Sequence, residues 1–235
     1  MAESIETLIN SLPLLRQRLR LFRAKGTLQL LPALCLVAAF IVCVPMCRTH
    51  ILTLAGHVLV VDQSATSADI IVVAIDADGA GTLEAADLVR KGVATKVAVF
   101  DDPPSPVDRE FLHRGLPYED RAATSIRQLH SLGVASVEQI SRATTGSEQE
   151  GYILPAWCKQ RGYRSVVLVT SADHSRRLRR IFRRSLHSHD LAVVVQGSPY
   201  SEFDPNDWWR SREGIRTGIE EFEKLMLDIV RHPFS

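Results

Sequence analysis

Over residues 67–230, short β-branched runs alternate with longer stretches whose apolar positions recur at helical spacing. Asp69–Ile75 (DIIVVAI), Lys96–Phe100 (KVAVF), Ser136–Ile140, Val166–Thr170 (VVLVT) and Leu191–Gln196 predict five strands. Leu83–Lys91, Arg121–Leu132, Glu148–Arg161, Ser175–Leu186 and Glu213–Val230 predict helices, and Gly92, Gly133 and Gly162 stop the first three. Unbroken apolar strands are covered on both faces. The pattern therefore predicts an α/β domain over 67–235. Its core is a doubly wound, mostly parallel five-stranded sheet, with crossover helices on both sides.

The beginning of the chain obeys a different pattern. Leu28–Cys47 (LQLLPALCLVAAFIVCVPMC) is twenty residues without a charge. At ~1.5 Å per residue this matches a bilayer core of about 30 Å, so a transmembrane helix is expected. Arg16, Arg18, Arg20, Arg23 and Lys25 precede it and only Arg48 follows closely. The positive-inside rule then puts the amino terminus in the cytoplasm and the main domain outside the inner membrane. Residues 1–27 form a cytoplasmic segment with Leu8, Leu12, Leu15 and Leu19 on one stripe, and 48–66 form a juxtamembrane connector. A cleavable signal peptide competes with this reading. The run is long for one, and no Ala-x-Ala site follows, which favours an uncleaved anchor.

Composition adds little. A net charge of +1 gives no bias toward nucleic acid. Cys35, Cys43 and Cys47 lie in the apolar run, which leaves Cys158 alone in the domain with no disulfide partner. Beside Trp157 in a helical pattern, Cys158 reads as a core residue.

Open α/β sheets bind ligands beyond the carboxyl ends of their strands, so the loops there hold the candidate chemistry. After the first strand, Asp76, Asp78, Gly79 and Gly81 form a turn that lets a ligand approach the backbone. Asp101 follows Gly79 by 22 residues, which gives half of a dinucleotide fingerprint; Glu84 stands where its third glycine belongs. An adenosine-type ligand such as S-adenosylmethionine and a turn capped by Asp78 or Thr82 are both open. Ser147 and Glu150 read either as a capping box or as crevice residues, with Glu150 aimed at the ligand.

The segment VVLVTSADHSRRLRRIFRR (Val166–Arg184) runs from strand to helix. Its His174, in the first helical turn, is expected to be neutral because the positive end of the helix dipole lowers an imidazole pKa. Near Ser171 it can act as base or donor. Arg176, Arg177, Arg179, Arg180, Arg183 and Arg184 read mostly as a solvated face opposite Leu178, Ile181 and Phe182, with Arg177 the nearest to a ligand. His187-x-His189-Asp190 lacks a further ligand, so no metal is expected. Of Trp208 and Trp209, one is expected on the sheet. The other, Trp209 in the candidate set, covers the crevice or meets the membrane surface. No Walker loop or Gly-x-Ser-x-Gly elbow occurs.

Together the apolar run, Ser67–Val73, Leu83–Phe100, GSEQEG (Gly146–Gly151), Thr170-Ser171-Ala172-x-His174-x-x-Arg177 and Trp208-Trp209-Arg210-x-Arg212-x-Gly214 resemble the YdcF-like domain family over about Val58–Val230. The resemblance implies a Rossmann-like fold and a role in cell-envelope integrity, in lipid-carrier or peptidoglycan metabolism. It implies a lipid-linked or phosphate-bearing ligand, with S-adenosylmethionine as the alternative that one soluble relative binds. By position the family's polar site falls on the loop after the first strand and on Ser147, Glu150, Ser171, His174 and Arg177. The chain departs from the family at Asp76-Ala77-Asp78-Gly79, where a glycine cluster is usual, and at Asp101-Asp102-Pro103, where Ser-Gly-Gly is usual. On this reading His174 serves as acid/base with Glu150 as its partner, and Arg177 holds an anionic group.

Overall fold

The computed structural model describes Pro32 and residues 44–234 apart from 62, 119, 144 and 188. Contacts divide the chain into two units, residues 1–51 and 52–235. Helix α1 (Pro45–Leu59) runs across the division. The remaining elements are β1 (Ile70–Val73), α2 (Asp78–Arg90), β2 (Lys96–Asp101), α3 (Pro106–His113), α4 (Arg121–Ser131), β3 (Ser136–Ser141), α5 (Ser147–Arg161), β4 (Ser165–Thr170), α6 (Ser175–Ser185), β5 (Ala192–Gly197) and α7 (Arg212–Arg231). Short 3-10 turns cover Ile75–Ala77 and Trp208–Arg210.

The five expected strands form one sheet in the order β3-β2-β1-β4-β5. Every pairing is parallel, where the sequence predicts mostly parallel. Alternate residues of β1 serve opposite cores. Ile71 and Val73 join Ala85 and Leu88 of α2 and Leu129 of α4 on one face. Ile70 and Val72 join Leu154 of α5 and Leu178 and Phe182 of α6 on the other. Both faces being buried is why the strand sequence is apolar without alternation. Cys158 lies in this second core, and burial pushes its thiol up to about 12, as suits a packing residue.

This arrangement positions the site. The chain leaves β1 toward one face through α2 and leaves β4 toward the other through α6. The two strands are neighbours, so their carboxyl ends open onto a crevice at the reversal of strand order. Gly81 keeps that opening tight. A methyl group there would lie 2.3 Å from Ala77 Cβ and 2.8 Å from Val73 Cγ1.

A third cluster closes one end of the unit. Leu59, Phe203, Trp208 and Leu225 are buried together, with Leu52, Ala55, Trp209 and Phe222 around them. Trp208 therefore packs between α1 and α7 instead of on the sheet, and its Nε1 donates to Leu52 O at 2.8 Å. Helix α3 was not foreseen. It has Pro106 in its first turn and a reciprocal cap, in which Ser105 Oγ accepts from Asp108 N and Asp108 Oδ2 accepts from Ser105 N.

The expected transmembrane span at 28–47 and the amphipathic stripe before it lie almost wholly outside the described residues. Among the described residues no helix is long and apolar enough to cross a membrane.

Gly81→Ala is expected to lower unfolding free energy by about 1–3 kcal/mol in denaturant titration, through overpacking against Ala77 and Val73. Gly79→Ala has no atom within 4 Å to meet and is expected to shift it by less than about 1 kcal/mol.

Candidate functional site

The loop after β1 is built around Asp76. Its Oδ2 accepts from Thr170 Oγ1 at 2.7 Å, Ser171 Oγ at 2.8 Å and Ser171 N at 3.2 Å. One carboxylate thereby ties the end of β1 to the end of β4. Asp78 follows with φ of 42°, a left-handed conformation uncommon for any residue but glycine. Its carboxylate pairs with Arg121 at 3.4 Å. Asp76, Asp78, Gly79 and Ser171 line a cavity of about 710 Å3 together with Asp173, Glu202, Glu213 and residues of the Tyr200–Phe203 loop. Gly81, the other expected glycine, is a packing residue and is not on the cavity wall. Asp101, the acidic half of the dinucleotide fingerprint, is not on it either.

Of the two readings open for Ser147 and Glu150, the capping box is not formed. Gly146, at φ 109°, is the N-cap of α5, and no side chain caps that end. Both side chains are directed elsewhere. Ser147 Oγ lies 2.9 Å from His174 Nε2. Glu150 is fully buried; its Oε1 accepts from Ile75 N at 3.0 Å and faces Arg142 Nη1 at 3.3 Å. Arg142 is itself buried, pairs with Asp102 and donates to Gly146 O, so it also fixes the loop before α5. Burial pushes the Glu150 carboxyl up to about 7, and the charge of Asp76 adds to this against the pull of Ile75 N and Arg142. Glu150 Oε2 and Asp76 Oδ1 are both buried without a hydrogen-bond partner.

His174 is 3% exposed and sits at the N-cap of α6. Its partner is not Glu150. Nδ1 lies 3.2 Å from Oε2 of Glu221, a buried residue of α7 that sequence reasoning missed. Arg177 reaches the same carboxylate through Nε at 3.0 Å and Nη2 at 3.1 Å, and its Nη2 also stands 2.7 Å from His174 Nδ1. Nδ1 cannot serve a guanidinium and a carboxylate at once. The carboxylate is the stronger partner of an N–H, so we assign the proton to Nδ1 and leave Nε2 to accept from Ser147.

The expectation of a lowered imidazole pKa is reversed. Burial does lower it, but the charge of Asp76 and the hydrogen bond to Glu221 outweigh burial and Arg177, and the net shift is upward. Burial would raise Glu221, yet His174 and Arg177 hold it far below the ordinary carboxylate range.

The line Ser147–His174–Glu221 thus places a hydroxyl, a base and an orienting carboxylate in the order that activates a serine nucleophile. It also ties the starts of α5 and α6 to the middle of α7. Arg177 is engaged by Glu221 and is not among the residues that line the cavity. Nor is the arginine face mostly solvated. Arg180 and Arg184 pair with Asp228 at 2.6 and 2.8 Å, Arg184 also meets Glu148, and Arg176 donates to Val60 O. These arginines clamp α6 to α7 and to the segment after α1. Trp209 stands edge-on to Trp208, with centroids 6.3 Å apart, and is absent from the cavity wall. Ligand atoms of Glu148, Asp228 and His232 lie within 4.8 Å of one another, but Arg180 and Arg184 already occupy two of these residues.

Neither a family model nor a curated protein matches this sequence.

A carboxyl whose folded pKa is raised stabilises the fold below its unfolded pKa and loses that contribution as pH rises through the folded value. For Glu150 the window runs from about 4.5 to about 7, and the loss is on the order of 3 kcal/mol. Glu150→Gln keeps the acceptor for Ile75 N without the charge. Its stability relative to the native chain is expected to rise between about pH 5 and about pH 8 in denaturant titrations; a constant difference would contradict the assignment.

Proposed function

We propose that the chain is a membrane-anchored enzyme of the YdcF-like type, with a Rossmann-like domain outside the inner membrane of a bacterial cell. It cleaves or transfers an ester or phosphoester bond in a lipid-linked or phosphate-bearing envelope metabolite. The observation that carries this reading is the Ser147–His174–Glu221 line, with Ser147 Oγ 2.9 Å from His174 Nε2 and Nδ1 3.2 Å from Glu221. Ser147 is half-buried, whereas His174 and Glu221 are shut away from water, so of the three groups the hydroxyl is the one open to a substrate, although neither it nor His174 is among the residues that line the cavity.

In the first step Ser147 Oγ attacks the electrophilic carbon or phosphorus while its proton passes to His174 Nε2. Glu221 stabilises the imidazolium through Nδ1–H, and Arg177 keeps Glu221 ionised. Negative charge on the oxygens of the attacked centre develops beside the first turn of α5, at the positive end of the helix dipole. The proton then returns from Nε2 to the leaving oxygen, whose bond to the carbon or phosphorus breaks and leaves the group on Ser147 Oγ. In the second step Nε2 takes a proton from water or an acceptor hydroxyl, whose oxygen displaces Ser147 Oγ, and returns that proton to it. The anchor and the envelope assignment rest on the charge-free run at 28–47 and its basic flank.

A second reading is favoured by one feature of the cavity. Its acidic wall suits a ligand with positive charge, such as S-adenosylmethionine, bound without chemistry at Ser147.

Ser147→Ala and His174→Ala are each expected to lower turnover of the envelope substrate on the order of 10³-fold, and to fail to restore cells lacking the chain. Full restoration by both variants would overturn the enzyme reading. If that comes with a thermal shift on adding S-adenosylmethionine, the binding reading replaces it.

A further inference from the structure

The crevice cavity is unusual in its charge. Asp76, Asp78, Asp173, Glu202 and Glu213 line it, and among the described residues no Lys, Arg or His is on its wall. Two of these carboxylates have cations nearby, since Asp78 pairs with Arg121 and Glu213 with Arg216. Asp173 does not. It is only 8% exposed, and among the described residues its carboxylate accepts a hydrogen bond only from its own backbone amide. Asp76 beside it commits Oδ2 to three donors and leaves Oδ1 buried with no partner.

A wall of this kind repels a phosphate group unless positive charge accompanies it. We propose that Asp173, with Asp76 next to it, holds a divalent cation of the magnesium type in this cavity, and that the cation carries the phosphate of the ligand. The second half rests on the phosphate-bearing ligand argued above; the first half does not. Magnesium suits the donor set, because it takes one or two carboxylates, keeps several waters and completes its shell with phosphate oxygens. Size argues the same way. A carboxylate as buried as Asp173 admits a compact ion, whereas a sulfonium or alkylammonium centre comes wrapped in carbon.

The test uses the full chain in detergent, titrated with Mn2+ alone while free Mn2+ is followed by electron paramagnetic resonance. One Mn2+ per chain is expected to bind, Mg2+ to displace it, and the ion to raise the melting midpoint. Asp173→Asn is expected to weaken binding by at least about tenfold. Ser147→Ala is expected to bind Mn2+ as the native chain does, which separates this site from the nucleophile: loss of turnover with intact metal binding leaves the cation standing, and the reverse removes it. Absence of Mn2+ binding to the native chain at about millimolar metal overturns the proposal. So does undiminished binding to folded Asp173→Asn, which would put the ion elsewhere, for instance at Glu148, Asp228 and His232.

Discussion

Glu221 is a carboxylate buried in the middle of the last helix, and the site is organised around keeping it ionised there. An unpaired charge in such a place would take up a proton instead. His174 and Arg177 prevent that by approaching it from α6, and Lys224 adds a contact at 3.1 Å from the next turn of α7. The consequence runs outward. With Glu221 charged, His174 holds its Nδ1 proton and turns Nε2 toward Ser147. Through Ser147 the start of α5 is drawn to the start of α6, so removal of one carboxylate would loosen three helices and misdirect the base together. Breaking a buried pair by removing one partner is strongly destabilising, about 3–5 kcal/mol where it has been measured.

A second pair of carboxylates works by the opposite logic. Asp76 is saturated at one oxygen by donors from Thr170 and Ser171, and Glu150 lies within its field, fully buried. Burial, with the charge of Asp76 added to it, pushes the Glu150 carboxyl up to about 7. The charge of Asp76 is also one reason the imidazole of His174 is raised. The site therefore sets two carboxyls apart, Glu221 held ionised and Glu150 inclined to stay neutral, and the difference comes from their neighbours alone.

The sheet was legible because burial on both faces leaves a direct mark. Runs such as Ile70–Val73 and Val166–Val169 have no polar alternation, and the structure pairs them side by side. Helix α3 was overlooked although Ser105-Pro106-x-Asp108 carries a readable start signal; its lack of buried residues removed the apolar periodicity that would have drawn attention. His174, Ser147 and Glu150 were read as site residues, but their pairing was not. Glu221 lies 47 residues beyond His174, on a helix with several other acids. One signal was available: Gly214, Gly218, Glu221, Leu225 and Asp228 follow the buried spacing of α7, and two carboxylates on an apolar stripe demand partners. The same signal would have shown that Arg177, Arg180 and Arg184 of α6 face α7.

The central claim is that His174 and Glu221 activate the Ser147 hydroxyl. The most direct measurement is peptide mapping by mass spectrometry after the folded chain has reacted with a fluorophosphonate. The account predicts a single adduct on Ser147, formed in the native chain and lost in His174→Ala. An adduct that persists without His174, one placed on another serine, or no adduct on a folded native chain would contradict it.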